Sequence, residues 1–280
     1  MNFIRKARVI LAIVFALSPV FGFAQYVYQV DPLLSNFSNA QRYDFGGGLV
    51  LPGGQFTGVV HVNDAFGNRV GDSTAKRKLS TMGYGAQIGL NLPFKGTGHI
   101  SCWALTLALE VNLYTWQNLN QTMNTDGVYK NYATSLNANT MQYSLPIGID
   151  WKVGNDAILS KRLNFGTSFG VGVIPQLNVS ELSSNSTFGN SYGWGFNPYA
   201  KFDWSIFAGL CWKLRFMYSL GKVNILDVNG KATPLNDGPL SVSANNAISI
   251  SLIVMPFSGR WSESDWYNTY DTYNVHDRFN

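Results

Sequence analysis

The residues of this chain that could do chemistry are few and scattered. Its three histidines are His61, His99 and His276. His99 and Ser101 stand two apart, close enough to pair a base with a hydroxyl nucleophile. Glu110 follows nine positions later. His61 has Asp64 nearby. Neither group supplies three converging functions. The glycines Gly46-Gly-Gly48 and Gly53-Gly54 lack the lysine and hydroxyl residue of a phosphate loop, so they read as bends or wall positions. No Cys-x-x-Cys pair or His-Glu-x-x-His helix exists. The expectation is no catalytic residue, no metal and no cofactor.

The segments that carry these residues are more informative. Around Glu110, every odd position from Trp103 to Leu113 is large and apolar, and every even position from Cys102 to Asn112 is small or polar. A period of two is a β-strand with one oily and one wet face. Eight such runs follow one another: Arg42–Leu51, Met82–Phe94, Cys102–Trp116, Met141–Val153, Leu163–Leu177, Tyr192–Asp203, Phe207–Leu220 and Ala247–Phe257. Most reach the ~9–11 residues that a tilted strand needs to cross a bilayer. Phe56–Asn63 reads either as a half-strand or as part of a loop hairpin. The gaps alternate long and short, as loops and turns do on the two sides of a bacterial membrane barrel. Aromatics mark both ends of the runs. Tyr84, Trp116, Tyr143 and Trp194 form an expected outer girdle, and Phe94, Trp103, Trp151 and Phe202 an inner one. An open sheet in lipid leaves backbone groups unpaired at several kcal/mol each, so the edges must meet. The fold class is therefore all-β, an eight-stranded antiparallel transmembrane barrel.

The chain start supports export. Arg5, Lys6 and Arg8 precede the apolar run Val9–Val20, and Gly22-Phe-Ala24 offers small residues for cleavage before Gln25. This reads as a secretory signal peptide over residues 1–24, its apolar run too short for the ~20 residues of a helical anchor. Its removal takes three positive charges, so a net charge of +4 becomes +1. The basic balance is thus a targeting feature and implies no nucleic-acid partner. The rest divides into an N-terminal periplasmic segment (25–41), the barrel (42–257) and a periplasmic tail (258–280). The expected location is the bacterial outer membrane.

Eight strands leave an interior that side chains fill. The inward positions carry Arg42, Lys152, Lys201, Lys213 and Arg215 against Asp44, Glu110, Asp150 and Asp203. Buried charge is tolerated when paired, so an ion-pair network is expected among Glu110, Asp150, Lys152, Lys201, Asp203, Lys213 and Arg215. A proton or ion path is the alternative use of the same groups. Cys102 and Cys211 share the inward parity, so a disulfide across the lumen is conceivable. Two surfaces could bind. Arg69, Lys76, Arg77 and Lys78 could meet lipopolysaccharide phosphates, or form a solvated loop. The tail carries Trp261, Trp266, Tyr267, Tyr270 and Tyr273 among acidic residues and could dock on a protein partner.

Four stretches resemble the PorT-like porin family of outer-membrane β-barrels of Bacteroidota. They are Met141-Gln-Tyr-Ser-Leu-Pro-Ile-Gly-Ile-Asp-Trp-Lys152, Leu163-Asn-Phe-Gly-Thr-Ser-Phe-Gly-Val-Gly172, Leu214-Arg-Phe-Met-Tyr-Ser-Leu-Gly221 and the strand Ile248–Phe257. The resemblance covers roughly 140–257. It implies an eight-stranded membrane barrel with no shared catalytic residues and roles that include help with secretion. The expected function is a non-enzymatic outer-membrane barrel with a plugged polar interior, a structural or accessory subunit of an envelope complex. An outer-membrane lipid-modifying enzyme, using the His-x-Ser spacing seen in some lipid A deacylases, is the alternative; so is a small pore. The expected partners are outer-membrane lipid and proteins meeting the tail and the extracellular loops.

Overall fold

A computed structural model describes residues 42–260, apart from 99, 118, 120, 125–128, 132–136, 160, 162, 184–187 and 229–239. The strands in chain order are β1 (Tyr43–Asn63), β2 (Arg69–Ser80), β3 (Gly83–Gly98), β4 (Ser101–Trp116), β5 (Gln121–Asn124), β6 (Tyr129–Asn131), β7 (Asn137–Ser144) and β8 (Ile147–Gly154). A short helical turn, α1 (Asn155–Ile158), comes next. It leads to β9 (Phe165–Ser183), β10 (Phe188–Ala208), β11 (Leu210–Ser219), β12 (Val223–Val228) and β13 (Leu240–Met255). A 3-10 turn, Pro256–Arg260, ends the described chain.

The sheet closes. β1 pairs with β3 on one side and with β13 on the other. Between them run β4, then β7 and β8, then β9, β10 and β11, all antiparallel. β7 and β8 are one strand interrupted at Leu145-Pro146, which makes eight. The interruption is local, because Leu145 N still donates to Pro175 O at 2.9 Å and Ala108 N to Pro146 O at 3.0 Å.

The register fixes the tilt. Directly paired residues lead from Tyr43 through Leu90, Leu107, Ile147 and Val173 to Pro198. Leu220 bonds Pro198, and the register continues through Asn246 to Gly53. The path thus returns to β1 about ten residues above its start, a stagger that tilts eight strands by about 40°. On β4 the outward residues run from Trp103 to Leu113. Ten steps of ~3.3 Å at that tilt span ~25 Å, the height of the apolar band of a membrane barrel. Just above it, Thr115, Asn139 and Glu181 face outward as one paired row, and Thr115 Oγ1 donates to Asn139 Oδ1 at 2.8 Å. The lipid wall ends there.

Several strands are far longer than the bilayer requires. β10 has 21 residues, or about 50 Å along the axis at that tilt. The barrel therefore projects beyond the membrane on the side of the long connections. Outside that projection is water, so its apolar residues turn inward. Phe56, Tyr114, Trp116, Leu119, Ala138, Ile225, Val242 and Ala244 pack into one buried cluster. Tyr114 and Trp116 meet edge to face, with centroids 5.6 Å apart.

This corrects the expected outer girdle. Trp116 is 1% exposed and lies inside. Its even position on β4 has inward parity, and the strand has left the lipid by that point. Tyr84 and Trp194 do stand outside, as do Phe94, Trp103, Trp151 and Phe202. Three boundaries also move. Phe56–Asn63 continues β1 and forms a hairpin with β2. β9 and β10 stay paired out to Ser183 and Phe188, which removes most of the expected Asn178–Ser191 loop. The turn expected at Trp204–Ile206 lies instead at Gly209, where φ is +77°. Trp204 and Ile206 point out and Ser205 points in, so the two-residue period runs on to the point where a left-handed conformation is needed. The β1–β2 turn is set by Asp64, whose Oδ1 accepts from the backbone N–H of Phe66 and Asn68. The bond from the Asn68 backbone holds its carboxyl below the usual range.

Candidate functional site: a paired-charge plug in the lumen

Neighbouring strands deliver the charges to one level. Asp203 on β10 is registered directly opposite Arg215 on β11. The guanidinium grips it with a fork, Nε to Oδ1 at 2.8 Å and an Nη to Oδ2 at 2.9 Å. Lys201 Nζ reaches Asp150 at 3.0 Å over Gly170 of β9, and Thr106 joins both, accepting from Lys201 at 3.2 Å and donating to Asp150 at 3.2 Å. Lys152 lies 4.0 Å from Asp150 and 2.5 Å from Asp156. Lys213 lies 3.0 Å from Asp156 and 3.7 Å from Asp44. Arg215 lies 4.0 Å from Asp44, closing the chain of pairs. Asn91 Nδ2 also donates to Asp44, at 3.0 Å. The side chains of Lys152 and Lys213 are fully buried. Charges this deep are stable only with such partners.

Six of the seven expected network residues are in this chain of pairs. Glu110 is buried as well, yet among the described residues no cation pairs with it. Its contact is Gln87, whose amide donates to Glu110 at 3.1 Å while its oxygen accepts from Arg215 at 3.2 Å. The residue that sequence reasoning missed is Asp156. It lies on α1, the turn after β8, which folds inward and buries Asn155, Asp156 and Ala157. Ser205 Oγ donates to Asn155 Oδ1 at 2.6 Å, and Cys102 Sγ contacts Ala157 O at 3.6 Å. The charge count held the signal. Five inward cations faced four anions, and Asp156 is the fifth. Burial alone would raise its carboxyl; Lys152 and Lys213 outweigh that and hold it below the usual range.

Among the described residues, buried side chains pack at both ends of the lumen. The apolar cluster fills the end under the long connections. At the other, α1 and the 3-10 turn fold in. Ser258 is fully buried, accepting from Cys211 N at 2.7 Å and donating to Met255 O. Between these two ends, two cavities beside Glu110 are each about 10 Å³, room for one water molecule. Cys102 and Cys211 are both buried and unbridged, so the conceivable disulfide is absent.

The other candidates fare unequally. Arg69 pairs with Asp72 at 2.6 Å on the β1–β2 hairpin. Arg77 is half-buried, its guanidinium 5.5 Å from the centre of the Phe56 ring. Lys76 and Lys78 are exposed, and stand opposite Thr57 and Gln55 just above the apolar band. Ser101 Oγ accepts from Thr97 Oγ1 at 2.9 Å, and Glu110 lies nine residues further along β4, ~30 Å away. The two therefore cannot act together. His61 sits opposite Asp72 on the hairpin. His99, His276, Trp261, Trp266, Tyr267, Tyr270 and Tyr273 lie outside the described residues, as do the segments 1–24 and 25–41.

Solved outer-membrane proteins match the chain at low identity. The outer-membrane protease OmpT of Escherichia coli is 8% identical, with 78% of this chain and 98% of that one covered, at a TM-score of 0.40. The outer-membrane protein OprG of Pseudomonas aeruginosa is 13% identical, with 76% and 94% covered, at 0.40. Neisserial surface protein A is 10% identical, with 76% and 96% covered, at 0.30. No family model and no curated protein matches the chain.

Proposed function

We propose that this chain is a non-enzymatic barrel of the bacterial outer membrane, exported with loss of residues 1–24, that serves as a structural or accessory subunit of an envelope complex. The observation that carries the reading is the filled lumen. Four of its five acids pair with cations, and buried side chains pack at both of its ends among the described residues. Such an interior suits a rigid scaffold better than a conduit. The surfaces left for function are then outside. On the projecting end, β10 from Phe188 to Asn197 pairs with β9, while its pairing with β11 covers only Tyr199–Ala208. Tyr192, Trp194 and Phe196 face outward there, and Trp194 is 76% exposed. Aromatics exposed at alternate positions form an apolar patch on which a protein partner can dock. The tail 258–280 gives a second contact surface on the periplasmic side. Lys76 and Lys78, exposed on the β1–β2 hairpin, would then meet lipopolysaccharide phosphates. The resemblance to PorT-like barrels of Bacteroidota fits an accessory role in secretion.

The test is crosslinking in intact cells and extraction of the full-length chain in mild detergent, beside a variant lacking residues 258–280. The expected result is a defined complex of fixed stoichiometry that the truncation weakens. Recovery of monomer alone from both chains, or steady conductance of the pure protein in planar bilayers, overturns the reading.

A further inference from the structure

Glu110 is the one acid of the lumen level with no cation at ion-pair distance among the described residues. Asp44, Asp150, Asp156 and Asp203 each have one at 4.0 Å or nearer. Glu110 is 6% exposed and borders both small cavities. The cavity on the periplasmic side also touches Lys201 and Arg215. The cavity above Glu110 is different. Its polar side chains are Gln87, Asn112, Ser249 and Ser251, and Glu110 is the sole charge on its wall.

This upper cavity exists because two wall positions lack a side chain. A Cβ at Gly85 would come within 1.9 Å of Asn112 Oδ1, and one at Gly48 within 2.6 Å of Ser251 Oγ. The glycine run Gly46-Gly-Gly48 thereby gains a purpose. It lets the amide and the hydroxyls converge on the space beside the carboxylate.

We propose that the cavity above Glu110 binds one monovalent cation of sodium size. The wall offers one carboxylate and neutral amide and hydroxyl oxygens, the donor type that hard cations take. A single carboxylate balances a single positive charge, whereas a buried divalent ion would need more. The volume of about 10 Å³ admits one water-sized occupant. The nearest base, Arg215, is held off on the far side of Gln87. The occupant gives Glu110 the counter-charge that no described residue supplies at ion-pair distance, and the inference does not depend on the partner proposed above.

The test uses the full-length chain in non-ionic detergent, with thermal unfolding followed in sodium, potassium and choline chloride at one ionic strength. The expected result is a saturable rise in Tm of several degrees in sodium, smaller in potassium and absent in choline. Glu110→Gln removes the rise. Equal Tm values in all three salts overturn the proposal, because the cavity then holds only water. An equal sodium effect in Glu110→Gln overturns it too, as does a Tm that follows pH but not the cation. Should Glu110→Gln fail to fold, sodium-23 NMR relaxation on the wild type and on Ser249→Ala decides. Broadening that Ser249→Ala weakens supports the site, and no broadening with wild type overturns it.

Discussion

Arg215→Ala lowers the stability of the barrel by about 3–5 kcal/mol, because it strands a buried carboxylate. Arg215 holds Asp203 by both of its oxygens and also reaches Asp44 and Gln87. None of these groups can turn to water, since the wall behind them faces lipid. Removing Asp203 as well takes away the stranded charge. The double variant Arg215→Met with Asp203→Asn therefore recovers most of the loss, as buried pairs replaced by matched neutral groups often do. Urea unfolding of the protein in detergent, read by its heat-dependent gel mobility, measures both variants. A loss below about 1 kcal/mol for Arg215→Ala is the magnitude expected of a solvated pair, and it would show that water reaches this level.

Trp116→Ala has an effect of similar size at the other end of the molecule. Trp116 fills the apolar cluster inside the projection, against Tyr114 and close to Gly54. Truncating a buried Trp costs about 3–5 kcal/mol. The predicted consequence is local first: the projecting strands become sensitive to protease while the membrane band stays folded. Trp194→Ala, on the outer face of β10, changes stability by less than about 0.5 kcal/mol. If the two variants behave alike, Trp116 sits in the lipid girdle and the apolar cap does not exist. Limited proteolysis followed by mass spectrometry distinguishes the outcomes.

The membrane half of this fold was legible because one rule governs it. On β4 the alternation from Cys102 to Leu113 has a single cause, lipid on one face and a polar lumen on the other, so each residue's side follows from its parity. The same parity places Asp150, Lys152, Lys201, Asp203, Lys213 and Arg215 inside. Legibility failed wherever the surroundings changed without a change in pattern. Past Leu113 the outer face is wet, and an aromatic such as Trp116 belongs inside. The apolar cluster therefore reads, in sequence, like more girdle. Gly209 ends β10 because one residue there needs a positive φ, and neither Trp204 nor Ile206 breaks the period before it. Asp156 was invisible to strand reasoning since it belongs to a turn, and turns are normally wet. Only the imbalance of five cations against four anions pointed to it. The cavity beside Glu110 depends on two glycines from different strands meeting side chains from others, which no single stretch of sequence reveals.

The central claim is that large apolar side chains on alternate residues face lipid while their polar neighbours fill a closed interior. A nitroxide scan of β4 from Cys102 to Leu113, on the protein reconstituted in liposomes, tests it most directly. Oxygen partitions into the bilayer and a nickel chelate stays in water. The account predicts that Leu105, Leu107, Leu109 and Val111 positions collide with oxygen and not nickel, and that Thr106, Ala108 and Glu110 positions are shielded from both. Nickel collisions at the even positions, with the odd ones shielded, would mean a water-soluble sandwich with its oily face inside.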